Sequence, residues 1–126
     1  MTIRIAILLI ALAPYLFFAL KDGAMHLGKQ RVRDVSLGEN ALHFIIIAPI
    51  AWLVAGMFRE DAFAVSLGAL AFIVPALVDE MYFHRRIPER ETDAHAKGHI
   101  ALFAFVVVGA VTWLDDAGVA QVLPWR

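Results

Sequence analysis

The residues best able to do chemistry in this sequence are five histidines, four of which follow a carboxylic acid by four positions. Residues four apart lie on the same face of an α-helix, with their Cβ atoms about 5–6 Å apart. Each acid and its histidine can therefore point at the same place if the segment is helical. The candidate metal ligands are Asp22, His26, Glu39, His43, Glu80, His84, Glu91, His95 and His99.

The ligand chemistry favours a transition metal. The chain contains no cysteine, which excludes disulfides, thiolate zinc sites, iron–sulfur clusters and cysteine nucleophiles. Mixed imidazole and carboxylate ligands suit iron, manganese, zinc or copper. Nine candidates exceed the needs of one ion. We therefore expect two ions, most simply two irons, or one ion with further carboxylates that orient the imidazoles.

Several of these residues also have an ordinary structural interpretation. His26 could be an interfacial histidine that reaches the headgroups. Glu80 and His84 could form a salt bridge inside a bundle, and Glu91 could be a solvated loop residue. Glu39 could close a capping box with Ser36. The same acid-x3-His spacing recurs at four helix ends. This repetition favours one shared metal site over an independent structural role for each residue.

The elements that would position these residues are membrane-spanning helices. The 126 residues are 61% hydrophobic, with a mean hydropathy of +0.72, and the apolar residues fall in four blocks between charged segments. This pattern is typical of membrane spans. We predict an all-α integral membrane four-helix bundle with antiparallel up-down topology. The whole chain, 1–126, forms one transmembrane domain with helices at about 3–27, 37–58, 62–84 and 93–114.

The predicted helix ends follow from polar residues. Ser36 with Glu39 three residues later favours a capping box at the start of the second helix. Thr92 or Asp93 is the predicted cap of the fourth helix. The first block has no small-residue cleavage site after it, so we interpret it as a retained helix rather than a signal peptide.

Basic residues predict the orientation. The two longer loops and their flanking helix ends carry eight lysines and arginines, against three on the other side. The positive-inside rule then makes these loops cytoplasmic, with both termini outside and all five histidines at the cytoplasmic end. We expect the bacterial inner membrane and contact with the lipid bilayer. A net charge of −1 gives no reason to expect nucleic acid as a partner.

The helix ends resemble two known kinds of metal site, in type of site only. His95-Ala96-Lys97-Gly98-His99 matches the H-x3-H element of membrane-bound desaturases and hydroxylases, but the chain contains no H-x2-H-H element. The share of carboxylates is more similar to that of ferritin-type di-iron proteins. Their Glu-x2-His spacing is replaced here by an acid-x3-His spacing. The resemblance implies a di-iron type of site and assigns no family.

Three classes of function follow as hypotheses. The first is a di-iron oxidoreductase that acts on a lipid or another hydrophobic substrate. The second is a b-type haem or electron-transfer subunit, with ligands such as His43 and His99. The third is a non-enzymatic accessory subunit, a metal sensor or a transporter, acting as a homo-oligomer or within a larger membrane complex. A transporter should carry polar groups at mid-membrane, where this sequence has little besides Ser66.

Overall fold

The computed structural model of the protein describes residues 3–26, 36–83 and 89–116. These residues are all-helical, and four helices are each long and apolar enough to span a membrane. A short π-helical turn follows the third of them, and we call it the π turn. The elements are α1 (Ile3–His26), α2 (Leu37–Arg59), α3 (Ala62–Val78), the π turn (Asp79–Phe83) and α4 (Glu89–Asp116).

Large apolar side chains lie on the outside of the helices. Phe44 is 76% exposed, and Phe63 and Phe103 are exposed to a similar degree. An exposed apolar surface of this extent would be unfavourable in water and suits contact with lipid chains. The four apolar helices therefore indicate contact with a bilayer.

The helices pack mainly as two pairs. α1 lies along α4, and α2 lies along α3. A core in the middle of the bundle joins the two pairs, and Phe105 at its centre is completely buried. Its buried members are Leu8, Leu12, Leu53, Met57, Leu102 and Phe105.

Two glycines let α2 and α3 approach closely. A Cβ atom on Gly68 would lie 2.8 Å from the backbone nitrogen of Leu53 and 2.9 Å from the carbonyl oxygen of Pro49. A Cβ atom on Gly56 would lie 2.9 Å from the backbone nitrogen of Val65. Small residues at helix contacts are the usual way to bring membrane helices together. Here the obstacles are backbone atoms, which cannot move aside as a flexible side chain can.

The turn between α2 and α3 ends one helix and starts the next. Glu60 adopts a left-handed conformation with φ 60°, and its N–H donates to the carbonyl oxygen of Gly56. The Asp61 side chain then caps α3 by accepting from the N–H of Ala64 at 2.9 Å. Arg4 of α1 forms an ion pair with Glu60, which ties α1 to this turn.

The start of α4 corrects the predicted boundary. The helix begins at Glu89, so the prediction that Thr92 or Asp93 caps it is wrong. Asp93 lies inside the helix, where its carboxylate accepts a hydrogen bond from Lys97 at 2.8 Å. Glu89 and Glu91 in the first turn favour the earlier start, because negative charge is stabilised at a helix N-terminus.

The end of α3 also differs from a simple helix. The α-helical hydrogen-bonding pattern stops at Val78, and residues 79–83 form the π turn. The predicted end at His84 lies outside the described residues. Single π turns occur often at functional sites.

The predicted cap of α2 is confirmed. Ser36 has extended backbone angles, and its Oγ accepts a hydrogen bond from the N–H of Glu39 at 3.1 Å. We expect Ser36→Ala to lower the free energy of unfolding by about 1 kcal/mol, because an orphan N–H loses its acceptor. Thermal unfolding in detergent, followed by circular dichroism, measures this. Ser66→Ala, on an exposed face of α3, is the control and should change little. Equal effects of the two variants would contradict a capping role.

Candidate metal centre

The inward face of α1 continues from the core to two candidate ligands. Leu8 and Leu12 are buried, and Asp22 and His26 follow on the same helical stripe at spacings of three and four residues. Asp22 Oδ2 lies 3.6 Å from His26 Nε2, as the i, i+4 spacing predicts. The same oxygen lies 3.7 Å from Nδ1 of His95 on α4.

A second acid reaches this group from α4. Glu91 is completely buried, and its Oε1 lies 3.7 Å from His26 Nε2. The interpretation of Glu91 as a solvated loop residue is therefore wrong, because α4 starts earlier and turns this residue towards α1. Asp22, His26, Glu91 and His95 form what we call the α1–α4 group.

The other helix pair supplies a compact set of three ligands. Single ligand atoms of Glu39, His43 and Asp79 all lie within 4.8 Å of one another. His43 Nε2 is 3.5 Å from Asp79 Oδ2. Glu39 and His43 come from α2, and Asp79 is the first residue of the π turn. We call these three residues the α2–α3 group.

The two groups meet at the junction between the helix pairs. Asp79 Oδ2 lies 3.7 Å from His95 Nε2, so the same oxygen faces a histidine from each group. The rings of His26 and His43 are 5.0 Å apart between centroids. The seven residues therefore form one continuous cluster at one end of the bundle.

Three of the four carboxylates of this cluster are buried far more deeply than acids usually are. Glu39 and Asp79 are each 1% exposed, and Glu91 is 0% exposed. Removing an ionised carboxylate from water is very unfavourable unless it is paired, protonated or bound to a metal. Ionisable residues inside a membrane bundle are for the same reason functional-site candidates by default.

The nitrogen–oxygen separations also bear on what the cluster holds. Six histidine–carboxylate distances among the described residues lie between 3.5 and 3.9 Å. Two atoms that each lie about 2.1 Å from one ion are roughly 3–4 Å apart at ordinary coordination angles. The separations thus match neighbouring ligands of a shared ion.

A cavity of about 320 Å³ adjoins the cluster. Asp22, Asp79 and the four described histidines line its polar end. The rest of its wall is mainly apolar and aromatic, and all four helices contribute to it. The apolar part includes Tyr15, Phe18, Ala19, Phe44, Ile46, Ile47, Phe72, Ala76 and Ala94.

Three predicted site residues lie at the edge of the cluster or outside the described residues. The Glu80 side chain is 59% exposed, and its Oε2 lies 3.9 Å from His95 Nε2. His99 is exposed, lies 4.6 Å from His95 between ring centroids, and packs edge-on against Phe72. His84 lies outside the described residues, so the predicted Glu80–His84 pair stays a prediction.

Sequence reasoning missed Asp79. The i, i+4 rule led to Glu80, because Glu80 precedes His84 by four residues. The small and buried residues of α3 indicate Asp79, the residue before Glu80, instead. Gly68 and Phe72 lie on the inward stripe, which reaches position 79 after seven more residues, or two helical turns. Extending the packing stripe into the polar end would have identified Asp79.

Comparisons with protein-family models, with curated proteins and with solved structures find no match to this chain. Inference about function therefore rests on the geometry and chemistry of the site.

Proposed function

We propose that the protein is a membrane-embedded metal-binding protein whose His/carboxylate cluster holds a dinuclear, di-iron-like centre. We further propose that it is an oxidoreductase acting on a lipid or another hydrophobic substrate. Such a centre activates oxygen or a bound water when it is present. Iron is the metal that we propose, and zinc, manganese or copper would also suit these ligands.

One observation carries the proposal: three fully buried carboxylates from three different elements converge on imidazoles at one end of an apolar bundle. With Asp22, the cluster contains four carboxylates. Two divalent ions would neutralise four ionised carboxylates. Four-helix bundles with inward Glu and His residues are an established host for dinuclear centres.

The ligands divide naturally between two ions. Glu39, His43 and Asp79 would hold one ion, and Asp22, His26, Glu91 and His95 would hold the other. Asp79 has an oxygen near histidines of both groups, so it is the candidate bridging carboxylate. His99 and Glu80 are peripheral in this assignment. His99 would orient His95, whereas the exposed Glu80 side chain approaches His95 only at the edge of the cluster.

The cavity supports the choice of substrate class. It is mostly apolar, and it ends at the histidines and carboxylates of the cluster. A hydrophobic molecule in this cavity would have one end beside the proposed ions. In contrast, the buried middle of the bundle is formed by leucine, methionine and phenylalanine, which gives little support to an ion pathway through the chain.

The membrane arrangement belongs to the same proposal. We assign antiparallel up-down topology, with the metal centre at the cytoplasmic end and both termini on the other side. The eight-to-three distribution of basic residues supports this orientation, and the bacterial inner membrane is the proposed location. A role as an accessory subunit of a membrane complex is the alternative if the cluster binds no metal.

Elemental mass spectrometry of detergent-purified protein, with an absorption spectrum of the same sample, tests the proposal. We expect about two transition-metal ions per chain and no Soret band. His43→Ala should lose most of this metal, because it removes an imidazole from the compact α2–α3 group. The control is Ile45→Ala, on the exposed outer face of the same helix, which should keep it. Metal-free protein after reconstitution with iron, manganese, zinc and copper would reject the proposal, and a Soret band would favour the haem alternative.

A further inference from the structure

We infer that the cavity binds a single alkyl chain with an uncharged polar end, such as a long-chain alcohol or aldehyde, which enters from the bilayer between α1 and α2. Any reaction of the bound alkyl chain rests on the proposed function. Binding itself is a separate property that can be measured without turnover.

The position of the entrance follows from residues that line the cavity and are also exposed. Phe44 is 76% exposed and Ile47 is 58% exposed, although both contribute to the cavity wall. Ala19 on α1 has the same two properties. A side chain that faces both an internal cavity and the outside lies at a mouth. These three residues are the exposed members of the apolar cavity wall, and they place a lipid-facing mouth between α1 and α2, which belong to different helix pairs.

The depth of this mouth makes lipid its surroundings. Phe44 is seven residues from the start of α2, which corresponds to roughly 10 Å along the helix axis. Exposed residues close in sequence on the two helices, Ile45 on α2 and Phe17 on α1, are also apolar. A molecule that uses this mouth therefore arrives from the hydrocarbon region rather than from water.

The size of the cavity limits the occupant to one chain. Pockets for small molecules have volumes of about 300–1,000 Å³. The cavity, at about 320 Å³, lies at the lower end of this range. It suits one alkyl chain, whereas an intact phospholipid with two chains is too large to be enclosed.

The charge of the cluster selects the polar end of the chain. Without ions, the carboxylates of Asp22 and Asp79 at the cavity's polar end would repel an anionic group. In the metal-free protein an uncharged hydroxyl or carbonyl group is therefore better accepted than a free carboxylate.

Photolabelling in lipid nanodiscs tests the inference. The probe is dodecanol carrying a diazirine and an alkyne, and the labelled peptides are identified by mass spectrometry. We expect labelling of α1 near Ala19 and of α2 near Phe44. On chelator-treated, metal-free protein, unlabelled dodecanol should compete at least about tenfold better than dodecanoate, because a carboxylate has to enter the acidic end of the cavity.

Matched variants separate cavity binding from general contact with lipid. Ala19→Phe should fill the mouth and reduce labelling at least about fivefold by steric exclusion. Ala13→Phe introduces the same side chain on the same helix, at an exposed position away from the cavity, and should leave labelling unchanged. Equal labelling of both variants, or equal competition by dodecanoate, would overturn the inference.

The two proposals fail in different ways. Metal content is measured on the same samples, and Ala19→Phe should retain it because this residue is not a ligand. Metal-loaded protein without competable labelling would overturn chain binding and leave the proposed metal centre standing. Competable labelling of protein that binds no metal would reject the metal centre and support the chain-binding cavity.

Discussion

Asp79→Asn is expected to remove most of the bound metal from the purified protein and to weaken metal binding by at least about 100-fold. The substitution keeps the size of the side chain and removes its charge. One oxygen of Asp79 lies near His43 and His95 at 3.5 and 3.7 Å, so the change affects both halves of the cluster. Even residues that only support a ligand contribute about 10–100-fold to metal affinity. Isothermal titration of the apo protein with the metal found in the wild type measures the loss.

The neighbouring residue is the matched control for this experiment. Glu80→Gln makes the same chemical change one position along the π turn, where the side chain is 59% exposed. We expect it to change metal affinity less than about threefold, because an exposed acid at the edge of the cluster is hydrated. Equal losses in the two variants would contradict the assignment of Asp79 as the bridging ligand.

Thermal unfolding of the same apo variants separates a metal centre from a purely structural salt-bridge network. If the cluster is a metal site, apo Asp79→Asn should be at least as stable as the apo wild type, because one buried negative charge is gone. If the cluster is a network of protonated histidines and carboxylates, removing one partner should destabilise by about 3–5 kcal/mol. The sign of the change therefore distinguishes the two interpretations.

The second large effect is expected from Gly68→Val, which should lower the free energy of unfolding by about 3 kcal/mol or more. Even the Cβ atom of the new side chain would lie 2.8 Å from the backbone nitrogen of Leu53. Because this obstacle is backbone, α2 and α3 have to separate, and overpacking of this kind is strongly destabilising. Asp79 directly follows α3, so a displacement of α3 should move this residue. We therefore also expect weaker metal binding. Unfolding in a denaturing detergent series, followed by circular dichroism, measures the stability.

Gly23→Ala provides the comparison within the same protein. Among the described residues, and apart from the surrounding backbone of α1 itself, no atom lies within 4 Å of a Cβ built on Gly23. Alanine at this position should therefore be neutral or stabilising by up to about 1 kcal/mol, because glycine is unfavourable inside a helix. A similar loss of stability in both variants would show that α2 and α3 do not depend on close approach at Gly68.

Much of the fold could be predicted from this sequence because its signals are local. Each apolar block is long enough to show a helix without help from distant residues, and Ser36 marks the start of α2 through a contact only three residues away. The i, i+4 rule likewise identified Asp22 and His26 as a pair. In each case, the prediction concerned residues that the helix itself brings together.

What the local patterns left open depends on contacts between helices. Glu91 was a predicted ligand with a solvated loop residue as the alternative, and packing against α1, which buries it, excludes that alternative. Asp79 was missed because the i, i+4 rule selected its neighbour Glu80, whereas the inward stripe of α3 through Gly68 and Phe72 reaches position 79. The i, i+4 rule concerns residues within one helix, whereas packing against other helices decides which of two adjacent acids points inwards.

The division of the cluster between two helix pairs affects how quickly the protein would be degraded in the cell. If ions join Asp79 to His95 across this division, they hold the α1–α4 pair and the α2–α3 pair together at their polar end. A ligand that binds only the native state stabilises it more as the free ligand concentration rises above its Kd, with a logarithmic dependence. Newly made chains in metal-starved cells would then open at this end more often and be degraded sooner. The amount of the protein would follow the availability of its metal without any change in transcription.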